Sequence, residues 1–283
     1  MANEKSLGIV LWRGKSLFDG KRIAVIATGV YNKQSSKNRK TGNVIQTYII
    51  RADIDPMLAR RLGEDYSICG NCMHREQSTC YVNLCHGPIK VFQALIDGRY
   101  KDYEPSDKVL FYNKFIRIGA YGDPAAVPIE VWENIICGIA TRWTGYTHQW
   151  RKCDQQLKQY FMASVDSIER YNVEYEKAHS MGWRTFRIRE SDVNPVGENE
   201  FICPASEEGG RVITCEKCGQ CSGTYYYSDK SKSPVIMLHA DSDALSNWRN
   251  RRYMGIMTLR RRKQAWRRDY DSERKRFKEI CKF

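Results

Sequence analysis

The 283 residues are enough for one large domain or two modest ones, and 42% apolar with 28% charged residues is a globular composition, not a disordered or fibrous one. No apolar run reaches the roughly eighteen residues a membrane helix needs, and the first residues lack a signal-peptide pattern, so the expectation is a cytoplasmic protein with no membrane partner. The net charge of +13 invites a polyanion, but residues 245–283 carry 14 Lys and Arg against 4 Asp and Glu, so most of the basicity belongs to the tail.

In chain order, LGIVLWRGKSLFDGKRIAVIATGV gives two apolar runs around a turn bearing Asp19 and Gly20, which predicts an N-terminal β-hairpin. VIQTYIIRADI reads as a strand, and DPMLARRLGEDY as a short helix opened by Asp55 and Pro56. From Val109 the pattern alternates. KFIRIGAY is a strand, AAVPIEVWENIICGIA a helix, GYTHQW a short strand and CDQQLKQY a short helix. FMASVD is a strand, SIERYNVEYEKAHSMG a helix, WRTFRIR a strand and PVIMLHA a last strand. This rhythm predicts an α/β fold, a parallel sheet or partial barrel of βα units, because parallel strands need crossovers and helices supply them. Residues 1–244 form this domain; Leu245 to Phe283 form a basic helical tail. The tail has an apolar stripe from Trp248 to Ile280. It is either a solvated docking helix or a grip on nucleic acid through phosphate contacts.

Eleven cysteines in a chain without an export signal point to metal ligation before disulfides. CPASEEGGRVITCEKCGQC places Cys203 ahead of Cys215, Cys218 and Cys221 at C-x2-C-x2-C spacing. Three thiolates at every third residue converge on one polynuclear centre, so an iron–sulfur cluster, foremost a 4Fe–4S cluster, is favoured over zinc. SICGNCMHREQSTCYVNLCHG offers Cys69, Cys72, Cys80 and Cys85, with His74 and His86 alongside. Spacing alone leaves zinc and a second cluster both open there, and the two loops sharing one site is a further arrangement.

Strand ends are where ligands bind in parallel α/β folds. They present Asp123, His148, Asp166 and His239 as candidate catalytic acids and bases, and Arg151 and Arg187 as groups to orient an anionic substrate. Singly, each has a bland role: Asp123 and Asp166 as turn or helix caps, His148 as a core histidine.

The segments TGNVIQTYIIRADIDP, SICGNCMHR with TCYVN, IRIGAYGDPAAVP, TGYTHQW, FMASVDS with GWRTFRI, and CPAS with TCEKCGQC resemble a family of cysteine-rich proteins encoded mainly by bacteriophages. The resemblance covers most of residues 1–240. It implies a viral protein working in the host cytoplasm and binding an iron–sulfur cluster, with Cys69, Cys72, Cys80, Cys203, Cys215, Cys218 and Cys221 as ligands. Cys85 and the basic tail fall outside it. The leading expectation is a metalloenzyme of hydrolase or other acid–base type acting on a small molecule. The alternatives are a nucleic-acid-binding module with structural zinc or cluster, and a redox-sensing regulator.

Overall fold

The turn between the first two apolar runs closes through Ser16, which accepts from Gly20 N–H (2.9 Å) and donates to Lys21 carbonyl (2.8 Å). Gly20 sits at φ +74°, a left-handed position that glycine adopts without steric cost. The hairpin is β1 (Gly8–Lys15) against β2 (Arg22–Thr28), antiparallel. β3 (Val44–Arg51) extends it antiparallel to β2. The computed structural model describes residues 6–31, 40–75, 79–139, 141–166, 173–189, 196–228 and 230–238. His239 and the tail from Leu245 lie outside the described residues.

After β3 come α1 (Pro56–Leu62), α2 (Tyr66–Cys69) and α3 (Gly87–Ile96). Asp55 caps α1 as its sequence predicts, accepting from Met57 and Leu58 N–H, and Gly63 ends it in the left-handed conformation. β4 (Lys101–Asp102) lies on the outer edge beside β1, and β5 (Phe115–Tyr121) runs parallel to β3. Then follow α4 (Ile129–Ile136), β6 (Arg142–Thr144) and β7 (Tyr146–Thr147). β8 (Met162–Asp166), α5 (Val173–Ser180), β9 (Thr185–Arg189), β10 (Glu200–Ile202), α6 (Cys215–Cys218) and β11 (Ser233–Met237) complete the order.

The class is mixed α/β. One sheet runs β4-β1-β2-β3-β5-β6 with antiparallel and parallel pairs, and the other runs β10-β11-β9-β8-β7, wholly parallel. The short strand expected at GYTHQW is β7, on the edge of the parallel sheet, while β6, which lies just ahead of that segment, is on the edge of the other sheet, and Gly145 joins the two. Its N–H donates to Cys221 carbonyl and its own carbonyl accepts from Met162 N–H. A Cβ there would stand 2.6 Å from the Phe161 ring, so the chain crosses between sheets where only glycine fits. The helix expected at CDQQLKQY is a tighter 3-10 turn, Gln155–Gln159, whose first N–H groups are met by the Asp154 side chain.

The largest buried side chains include Trp132, Trp143, Trp150 and Trp183. Each indole N–H has an acceptor: Pro124, Tyr160 and Ser164 carbonyls and the Gln155 amide oxygen, at 2.7–3.1 Å. Burial therefore adds apolar contact without leaving a polar atom unpaired. No helix among the described residues is long and apolar enough to cross a membrane.

Candidate metal and acid–base site

The first cysteine loop is docked onto the strand ends by backbone bonds. Asp123 N–H donates to Ile68 carbonyl (2.6 Å), and Gln149 Nε2 donates to Cys69 carbonyl (3.3 Å). Gly70, at φ +54°, passes so close that a Cβ would stand 2.6 Å from the Gln149 amide. Held this way, Cys69, Cys72 and Cys80 are within electrostatic reach of one another. Burial pushes Cys69 well above and Cys80 above the ordinary thiol range; Asp65 and then Cys72 and Cys80 add to it at Cys69, and Cys72 adds to it at Cys80.

Beside them a buried carboxylate stands between two imidazoles. Asp166, the last residue of β8, lies 3.1 Å from His74 Nε2 through Oδ1 and 3.6 Å from His148 Nε2 through Oδ2. The two imidazole rings stand edge to face with centroids 5.7 Å apart. His74 Nδ1 bonds the Thr79 hydroxyl at 2.9 Å. His148 Nε2 is buried and has no hydrogen-bond partner, its 3.6 Å approach to Asp166 being an ion-pair distance only. Such an orphaned polar atom costs about 1–3 kcal/mol unless something occupies the gap. Burial disfavours the imidazolium, but Cys72 and Asp166 prevail and raise the His148 pKa well above the usual imidazole range.

Asp166 responds in the opposite sense. Burial opposes its ionisation, yet His148 and His74 hold its carboxyl far below the usual carboxylate range. A depressed carboxyl pKa contributes stability that is complete above the unfolded value, near ~4, and is lost as pH falls through the folded value. Denaturant midpoints taken from about pH 7 down to about pH 2 should therefore fall more steeply for the native chain than for Asp166→Asn. Parallel curves would refute the ion pair.

The second loop closes near the N-terminal ends of β3, β7, β9 and β11, except for Cys203, which follows the C-terminal end of β10. Cys215 and Glu216 N–H groups donate to Lys40 and Thr41 carbonyls, and Cys203 N–H to Val235 carbonyl, at 2.9–3.0 Å. Arg184, fully buried, donates to the carbonyls of Gln220, Ser222 and Lys232 at 2.8–3.0 Å and ties the loop to the start of β9. Burial raises Cys221 first, and Cys203, Cys215 and Cys218 add to it, while a hydrogen bond from the Tyr146 hydroxyl opposes. The four thiols thus share one patch. Among the described residues no three cysteine sulfurs lie within 4.8 Å of one another. Four thiolates on one zinc would be roughly 3.8 Å apart, from Zn–S bonds of about 2.3 Å at tetrahedral angles.

Tyr146, which reaches Cys221, and His148, which reaches Cys72, are alternate residues of one extended segment. Arg117, in the middle of β5, stands between the groups: it donates to the Tyr81 hydroxyl at 2.7 Å and couples to Tyr146, and its charge reaches Cys215. Set against protein-family models, curated proteins and solved structures, the chain matches none.

The residues anticipated at the strand ends divide. His148 and Asp166 come together. Asp123 is buried beside them, but its oxygens accept from Ala125 N–H (3.0 Å) and His148 N–H (2.8 Å), so it positions His148. The two guanidinium groups expected to orient an anion are already engaged. Arg151 pairs with Glu174 and lies 4.0 Å over the Trp150 ring; Arg187 pairs with Glu200 in the interior. Arg117, by contrast, is mid-strand, where alternation, not proximity to a turn, decides which way a side chain faces, and the strand-end pattern does not single it out. His74 was visible only as a neighbour of Cys72; the C-x2-C-x-H run is its one signal. Cys85 stands apart, 4.0 Å from the Met57 sulfur. Cys137 lies 3.4 Å from the Tyr160 hydroxyl.

Proposed function

We propose that the protein is an iron–sulfur metalloenzyme with a hydrolase-like acid–base site at the C-terminal ends of β7 and β8. The observation that carries this reading is the buried Asp166 carboxylate between His74 and His148, immediately beside the Cys72 thiol. Cys203, Cys215, Cys218 and Cys221 suit a 4Fe–4S cluster: four mutually coupled, half-buried or buried thiols, spread too widely for a single zinc. Cys69, Cys72 and Cys80 supply three ligands for a second cluster or for zinc. When bound, an iron lacking a fourth thiolate supplies a Lewis acid for a substrate oxygen.

The chain's own groups do the rest. Asp166 fixes the orientation of both imidazoles, Asp123 fixes the His148 backbone, and His148 Nε2 holds or releases the proton. Arg117, permanently charged and half-buried, suits an anionic small-molecule substrate. The bacteriophage resemblance is consistent with work in a host cytoplasm.

Anaerobic purification should give a brown protein with iron and acid-labile sulfide. A panel of phosphate-ester, ester and amide substrates should then reveal a turnover that Asp166→Asn or His148→Ala removes while iron and sulfide stay constant. A colourless, iron-free protein would defeat this reading. A nucleic-acid-binding module is the second reading, favoured by a cleft of about 640 Å³ lined by Lys114, Arg142, Lys217, Trp143, Tyr226 and Tyr227. Salt-sensitive oligonucleotide binding, indifferent to iron content, would mark it.

A further inference from the structure

We infer that His74, His148 and Asp166 together bind one divalent transition-metal ion, separate from both thiol groups. The inference rests on the acid–base reading and deepens it: the groups assigned there to proton handling would hold a cation that polarises a water or a substrate oxygen. One ligand atom from each residue lies within 4.8 Å of the other two, and no cysteine sulfur joins them. The nearest approaches, 3.1 and 3.6 Å from the Asp166 oxygens to the two Nε2 atoms, slightly exceed what a shared ion needs. Adjacent ligands of an octahedral ion with bonds of about 2.1 Å stand roughly 3.0 Å apart.

Two further observations point to a ligand. His148 Nε2 is buried and makes no hydrogen bond, standing 3.6 Å from Asp166 at ion-pair distance only, so an ion between them satisfies both. The outer supports are those of ligating histidines: Thr79 holds His74 through Nδ1, leaving Nε2 to face the carboxylate, and Asp123 holds the His148 backbone. Two imidazoles and one carboxylate favour Mn2+, Fe2+ or Zn2+ over Ca2+ and Mg2+, which take oxygen ligands. A bare His74–Asp166 ion pair accounts for one of the two contacts only.

The test uses the full chain, prepared without oxygen, dialysed against a chelator and titrated with Mn2+. Binding is read from the loss of the free-ion electron paramagnetic resonance signal. A single site is expected, retained in Cys221→Ala and lost in His74→Ala and Asp166→Asn. Thr79→Val removes only the outer support and should weaken binding about 10- to 100-fold without threatening the fold. Absent binding, or binding unchanged in Thr79→Val and Asp166→Asn alike, would overturn the site. So would loss of iron and sulfide in Asp166→Asn, since the triad would then belong to the cluster. An iron-free protein that still takes up Mn2+ through these residues would leave the site standing and the cluster reading fallen.

Discussion

Cys221→Ala is expected to strip the protein of all iron and sulfide held by the second loop, and with it most of the visible absorption. The four thiols are brought within electrostatic reach of one another by contacts that do not involve metal: Arg184 on the Gln220, Ser222 and Lys232 carbonyls, Cys215 on Lys40, Cys203 on Val235. Each thiol there raises the cost of ionising its neighbours, so a cation is what makes four thiolates tolerable in one patch. Removing one ligand of four should cost the cluster during purification in air, because the iron that loses its thiolate is opened to solvent and oxidant. Tyr146→Phe, which deletes only the hydroxyl that bonds Cys221, should keep the cluster. Cys137→Ala and Cys153→Ala should leave iron unchanged, since neither couples to the loop. Iron and sulfide analysis of the four variants decides it: full iron in Cys221→Ala would defeat the assignment.

The parts of the fold legible from sequence were those encoded within a few residues. The hairpin turn at Gly20, the Asp55 and Pro56 start of α1, and the apolar runs of β3, β5, β8 and β9 need only local chemistry. What stayed hidden depends on pairs far apart in the chain. His74 meets Asp166 across 92 residues, and no local pattern announces that encounter. The turn at Gly145 is set by the Phe161 ring, so β6 and β7, neighbours in the chain, fall on the edges of two different sheets. Arg117 and Arg187 look alike in sequence, each a cation in an apolar strand. Only the register, which gives Arg187 a buried glutamate and Arg117 an exposed tyrosine, separates the two.

Arg187→Ala should be the most damaging of the single substitutions for stability. Its Nε and Nη2 meet the two Glu200 oxygens at 2.7 and 2.6 Å, with side chains 5% and 1% exposed. The fork is bidentate and dry. Removing one partner leaves the other charge buried without compensation, a loss of about 3–5 kcal/mol, or roughly 10 °C in melting temperature for a domain of this size. The double exchange Arg187→Met with Glu200→Leu should recover most of it, because it deletes both charges and refills the volume. Recovery should fall short by about 1 kcal/mol, since Gly197 N–H also donates to Glu200 (2.8 Å) and loses its acceptor. Thermal melts of the two variants measure this directly. The same pair separates frame from site: a double variant that regains stability and keeps its metal and turnover places Arg187 in the scaffold, whereas stability regained with substrate affinity lost would return it to the anion-orienting role.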